Sequence, residues 1–258
     1  MKMTDGHEQT EQELRAELNR LFDAWNNRWE EYRQTHPDAH GVSYNTDIIP
    51  DGFFPGYLQQ KKKILFIGRE IADFGGNYID VFTDKIRKGK VNRFDRRMLL
   101  IACGLLHKLD WIKIPGLAEL RKGDKIFHEF SFAFMNLTKI SNDSGSKKTD
   151  WKLMKTSIEM SVSGDRNFIL EEFSCLDPDV IITMNLSANG MLQATFGERI
   201  THLKSKDSPC LLQYLLSVKP DKRILLLDSY HYSNPRISNH DEGDMLYTPV
   251  FNAMYHQI

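Results

Sequence analysis

Lys61-Lys62-Lys63-Ile64-Leu65-Phe66-Ile67-Gly68-Arg69-Glu70 decides how this chain is read. A basic cluster gives way to four consecutive apolar residues, which stop at a glycine and two charged residues. An uninterrupted apolar run of that length describes a strand buried on both faces, the usual state of a strand in a parallel sheet. Three later stretches repeat the pattern. Phe132-Ala133-Phe134-Met135 leads into Asn136, Val180-Ile181-Ile182-Thr183-Met184 follows Asp177-Pro178, and a run over 223–227 delivers Asp228-Ser229-Tyr230-His231.

Helical periodicity fills the spaces between these strands. Over 8–35, Leu14, Leu18, Leu21, Phe22, Trp25 and Trp29 recur mostly at three- and four-residue steps, forming one apolar stripe. His36-Pro37-Asp38 ends it. Further helices are predicted over 93–109, from the polar loop 141–149 to about residue 173, and over 187–196, with a weakly helical tail over 247–255. The alternation predicts a three-layer α/β/α fold: a central, mostly parallel four-stranded sheet with an N-terminal helical extension. Residues 1–59 are expected to pack as helix and loop on an α/β domain spanning 60–258.

Composition narrows the class. Of 258 residues, 41% are hydrophobic and 27% charged, which permits a real core and excludes wholesale disorder. The apolar runs fall far short of the ~20 residues that cross a bilayer. Residues 1–13 are polar and acidic, without an apolar signal region, so a cytoplasmic protein with no membrane partner is expected. Cys103, Cys175 and Cys210 lie far apart and form no C-x-x-C pair. The net charge of −1 does not announce a nucleic-acid binder. Locally, however, Lys85, Arg87, Lys88, Lys90, Arg93, Arg96 and Arg97 are opposed by Asp95 alone, a stretch suited to phosphates or simply to solvent.

Open α/β sheets bind ligands beyond the carboxyl ends of their strands. Three of the four strands end there in groups suited to chemistry: Gly68-Arg69-Glu70, Asn136 and His231. Each residue alone has an ordinary structural explanation; their joint placement is the signal.

In order and setting these residues resemble the uracil-DNA glycosylase superfamily. Gly68-Arg69-Glu70-Ile71-Ala72 is similar to the family's first motif, Gly-x-Asp-Pro-Tyr or Gly-Glu-Ala-Pro-Gly. Phe134-Met135-Asn136-Leu137-Thr138-Lys139 is similar to its apolar strand ending in Asn, and His231-Tyr232-Ser233-Asn234-Pro235 to its final His-Pro-Ser-Pro. The resemblance covers roughly 60–258. Glu70 stands where several branches place Asp, and Ile71 and Tyr232 replace family prolines. Three scattered cysteines do not make an iron–sulfur site.

The resemblance implies a DNA glycosylase that hydrolyses the N-glycosidic bond of a flipped-out pyrimidine and leaves an abasic site. Glu70 would orient water, and His231 would donate a hydrogen bond to the base. Asn136 would read the base edge, with Gly68, Arg69 and Ala72 beside it. Phe94 would stack on the ring, in competition with Phe74 and Tyr78. Lys139, Ser233, Pro235, Arg236 and Ile237 are expected on the DNA, the last three as the wedge. DNA is the expected partner, for a monomer with no metal and no cofactor.

The base stays open at this level. The Asn136 amide suits uracil in one orientation and cytosine in the other. Ala72 stands where strictly uracil-specific relatives carry a Tyr that blocks C5. A C5-modified base, such as hydroxymethylated or glucosylated cytosine in viral DNA, is therefore the expected substrate, which suits antiviral defence. The alternatives are a plain uracil-DNA glycosylase, a nucleoside hydrolase or deoxyribosyltransferase, and a non-catalytic DNA-binding module. His240, Asp241, Glu242 and Asp244 read as a solvated turn, and no Walker-type loop follows Gly68.

Overall fold

Seven strands form one sheet in a computed structural model that describes residues 5–36, 47–72, 74–122, 129–145, 148–162 and 165–256. In chain order they are β1 (Gly52–Phe53), β2 (Ile64–Gly68), β3 (Ala133–Asn136), β4 (Val180–Met184), β5 (Ile200–His202), β6 (Leu211–Lys219) and β7 (Lys222–Ser229). Their spatial order is β1-β3-β2-β4-β7-β6-β5. The parallel centre β3-β2-β4-β7 holds the four strands legible in the sequence.

The expected four-stranded, mostly parallel sheet is corrected on both counts. β1 adds antiparallel to β3, while β6 and β5 add antiparallel beyond β7, so the sheet is mixed. Each missed strand has a physical reason. β1 has two residues and β5 three, too short to show a period. β6 carries apolar side chains on both of its faces, so its alternation is blurred. A signal was present there: Pro220-Asp221 between two apolar runs is a turn former, and these residues join β6 to β7 as a two-residue hairpin.

Helices cover both faces because strand side chains alternate sides. Leu65, Ile67, Met135, Ile181 and Leu226 point into one core, and Ile64, Phe66, Phe134, Ile182 and Leu227 into the other. The first core is closed by α1 (Asp5–Thr35) and the second by α2 (Tyr78–Arg87) and α3 (Arg93–His107). A short helix, α4 (Leu117–Leu120), follows α3. Trp25 and Trp29 of α1 are fully buried, and Trp25 Nε1 donates to Ser161 Oγ at 3.0 Å.

The helix expected up to residue 173 is two helices, α5 (Trp151–Ser161) and α6 (Phe168–Leu176). The Asn167 side chain accepts from Leu170 N at 3.0 Å, so a fresh N-cap starts α6. The helix expected over 187–196 begins as a 3₁₀ turn and becomes regular only in α7 (Met191–Phe196), because Asn189 and Gly190 take left-handed φ values of 56° and 70°. The tail forms a π turn and then α8 (Thr248–Tyr255). Pro37 and Asp38, and Ser146 and Lys147 of the polar loop 141–149, lie outside the described residues. No helix among the described residues is long and apolar enough to cross a membrane.

Candidate active site

β2 and β3 run parallel with Gly68 opposite Asn136, and their pairing continues past the strand ends. Leu137 N donates to Gly68 O at 3.0 Å, Thr138 N to Arg69 O at 2.9 Å and Asn142 N to Ile71 O at 2.8 Å. Two loops that carry polar groups are thereby locked together, so Glu70 projects from a fixed backbone.

Glu70 Oε1 accepts from Asp150 N at 2.9 Å and from Asn142 Nδ2 at 3.2 Å. Its other oxygen, Oε2, is buried without a hydrogen-bond partner among the described residues. Burial pushes the Glu70 carboxyl above its ordinary range, against the pull of those two hydrogen bonds. Asn136 is equally telling. Its side chain is buried and its Nδ2 has no partner among the described residues. Leaving a buried amide unpaired costs about 1–3 kcal/mol, so a ligand or an ordered water that paired it would be favoured there. Gly68 makes room for that amide, since a β-carbon at Gly68 would lie 2.6 Å from Asn136 Oδ1.

His231 follows β7. Its Nδ1 accepts from the Ser233 backbone N–H at 3.2 Å and lies 2.7 Å from Ser233 Oγ. A ring nitrogen that accepts a backbone N–H carries no proton, so the neutral ring holds its hydrogen on Nε2. Burial, helped by the Arg69 charge, pulls the His231 pKa down to about 4. His231 is thus a neutral donor at physiological pH. Arg69 is a fixed charge. Its guanidinium donates to Met184 O, Asn185 O and Thr149 Oγ1 and lies over the Trp151 ring at 5.0 Å.

Two cavities meet at these groups. The inner one, about 380 Å³, has aromatic walls (Phe74, Tyr78, Phe94 and Phe134) with Asn136 and Gly68 on its floor. The outer one, about 690 Å³, is lined by Thr149, Trp151, Asn185, Tyr230, Asn234 and Pro235. Arg69, Glu70, Ala72, His231 and Ser233 border both. Phe94 sits 5.6 Å from the His231 ring, centroid to centroid, whereas Tyr78 stacks on Phe134 at 4.6 Å.

Two expected DNA contacts are corrected. Lys139 is 0% exposed and its ammonium lies 2.5 Å from Asp51 Oδ1 and 2.9 Å from Glu172 Oε2, beneath Phe22 and Trp25. Two buried carboxylates hold it inside the protein, out of reach of phosphate. Ile237 is 1% exposed in the second core, so it is no wedge. Pro235 lines the outer cavity and Arg236 is exposed.

The basic stretch divides in the same way. Arg97 is buried, donating to Glu242 Oε1 and to the carbonyls of Tyr232, Asn234 and Ile237, and so ties down the loop after His231. Arg96 also pairs with Glu242, which is therefore turned inward from the expected acidic surface turn. Asn142 and Asp150, which hold Glu70, carried no signal in the sequence because only folding places them beside it. Among the described residues, no three His, Cys, Asp or Glu side chains gather as a metal site would require. No protein-family model matches this chain, and no curated protein matches it.

Proposed function

We propose that the protein is a DNA glycosylase that hydrolyses the N-glycosidic bond of a flipped-out pyrimidine carrying a substituent at C5. The observation that carries this reading is the meeting of an aromatic-walled inner cavity and a polar outer cleft at Glu70 and His231. A base in the inner cavity and its sugar in the outer one bring the C1′–N1 bond between those two side chains. An inner cavity of about 380 Å³ is within the usual range of about 300–1,000 Å³ for ligand sites.

The chemistry follows from where charge develops. As the C1′–N1 bond breaks, its electron pair goes to the base and the sugar becomes oxocarbenium-like. Glu70 Oε2, free of partners among the described residues, holds a water against C1′ and takes its proton as the C1′–O bond forms. The Nε2–H of His231 donates to pyrimidine O2, where the negative charge gathers. A neutral donor suits this role, because it stabilises the leaving anion without needing a proton from solvent. The Asn136 amide pairs with the base edge, and Phe94 packs against the ring.

Ala72 borders both cavities with only a methyl group, so nothing at that position crowds C5. This favours a substituted base over plain uracil, and a viral genome as its source. Ser233, Pro235 and Arg236 flank the outer cleft and are assigned to the DNA backbone, with the protein acting as a monomer without cofactor.

The test is formation of alkali-labile sites in end-labelled oligonucleotides containing uracil, thymine, cytosine or C5-substituted cytosine. The unaltered chain should cut at a substituted pyrimidine, and Glu70→Gln should not. Absence of cutting on every substrate would reject the reading.

A further inference from the structure

The inner cavity extends past the base-reading groups. From Gly68, Asn136 and His231 it runs along Tyr78 to Lys85 of α2 and Asp95 of α3. A pyrimidine ring engages the first set and leaves the second untouched. Asp95 is 2% exposed. Its Oδ2 accepts the Asn92 N–H at 3.2 Å, closing the capping box of α3, while Oδ1 makes no hydrogen bond to a described residue. The Lys85 ammonium and the Tyr78 hydroxyl likewise have no hydrogen-bond partner among the described residues, although Lys85 is close enough to pull the Asp95 carboxyl down against the upward push of burial.

We propose that this end of the cavity is a subsite for a neutral, hydroxyl-bearing substituent on pyrimidine C5, gripped between the Lys85 ammonium and the Asp95 carboxylate. The inference rests on the glycosylase reading for the position of the ring. The choice of substituent follows from pairing. A hydroxyl both donates and accepts, so it satisfies Asp95 and Lys85 together. A methyl group would leave the buried Asp95 carboxylate without a partner at that oxygen, which is unfavourable. An amine would suit Asp95 and be repelled by Lys85, and an acidic group would do the reverse. Tyr78 supplies a further hydroxyl and an apolar wall along the way.

Oligonucleotides with one cytosine, 5-methylcytosine, 5-hydroxymethylcytosine or glucosylated 5-hydroxymethylcytosine test the subsite. Affinity is measured on Glu70→Gln protein, and base release on the unaltered chain. The hydroxylated bases should bind about tenfold more tightly than 5-methylcytosine, the worth of one or two hydrogen bonds. Lys85→Met, and Asp95→Asn, which can still accept the Asn92 N–H, should each remove most of that margin. Equal affinity for methylated and hydroxylated bases overturns the subsite, even where base is released. So does a margin untouched by both substitutions. Hydroxyl-dependent binding with no base release from any substrate supports the subsite and overturns the glycosylase reading instead.

Discussion

Asp51 Oδ2 accepts the backbone N–H of Asn136 at 2.7 Å, while Oδ1 of the same carboxylate accepts from Lys139 at 2.5 Å. A buried charge network thus fixes the end of β3 from which the Asn136 amide, proposed to read the base, projects. Lys139→Met should leave the buried Asp51 without its counter-charge, at a cost of about 3–5 kcal/mol. Glu172 behaves differently. Burial, and next the Asp51 charge, pushes its carboxyl well above the ordinary range. Glu172→Gln keeps the shape of the group and an oxygen that can accept from Lys139, so it should cost less than Lys139→Met. Urea midpoints of the two variants check this. Equal losses would mean that the amide cannot replace the Glu172 carboxyl beside Lys139.

Gly68→Ala tests the floor of the inner cavity. The new methyl would lie 2.6 Å from Asn136 Oδ1 and 3.0 Å from the Phe134 ring, so the amide must move. A shift of about 1 Å at a reacting site costs about 10²-fold in rate. Single-turnover base release should fall by that order, while the crowding in a buried strand costs about 1–3 kcal/mol of stability, read as a modestly lower melting temperature.

The pH profile separates Glu70 from His231. In the proposed reaction Glu70 works ionised, and its pKa is raised from 4.5 by burial, so the rate should fall as pH drops through that raised value. His231, with a pKa of about 4, is already neutral across this range. His231→Gln should therefore lower the plateau and leave the acid limb in place. A limb that disappears with His231→Gln would assign the titration to the histidine.

Arg97→Met should unfasten the loop that carries Ser233 and Pro235. It removes a buried cation from Glu242 and from three carbonyls, at a cost of about 3–5 kcal/mol. Thermal melting reads the loss as a lower midpoint. A variant as stable as the parent would show that the loop is held by other contacts.

The sequence by itself determined the parallel centre of the sheet. The run 64–67 is apolar at every position and 180–184 at all but Thr183, and burial on both faces accounts for that. It also placed Glu70, Asn136 and His231 at strand carboxyl ends, because the strand boundaries are written in the change from apolar to polar residues. Tertiary structure alone decided the edges of the sheet, where β1 and β5 are too short to show a period. It alone decided which cations are free. Arg97 and Lys139 look like phosphate contacts in a linear reading, and they became interior ions because Glu242, Asp51 and Glu172 arrive from distant segments. The same holds for Glu70 Oε2 and Asn136 Nδ2, which find no partner among the described residues. Whether a polar atom has a partner depends on what folding brings within hydrogen-bond reach, and residue order does not specify that distance.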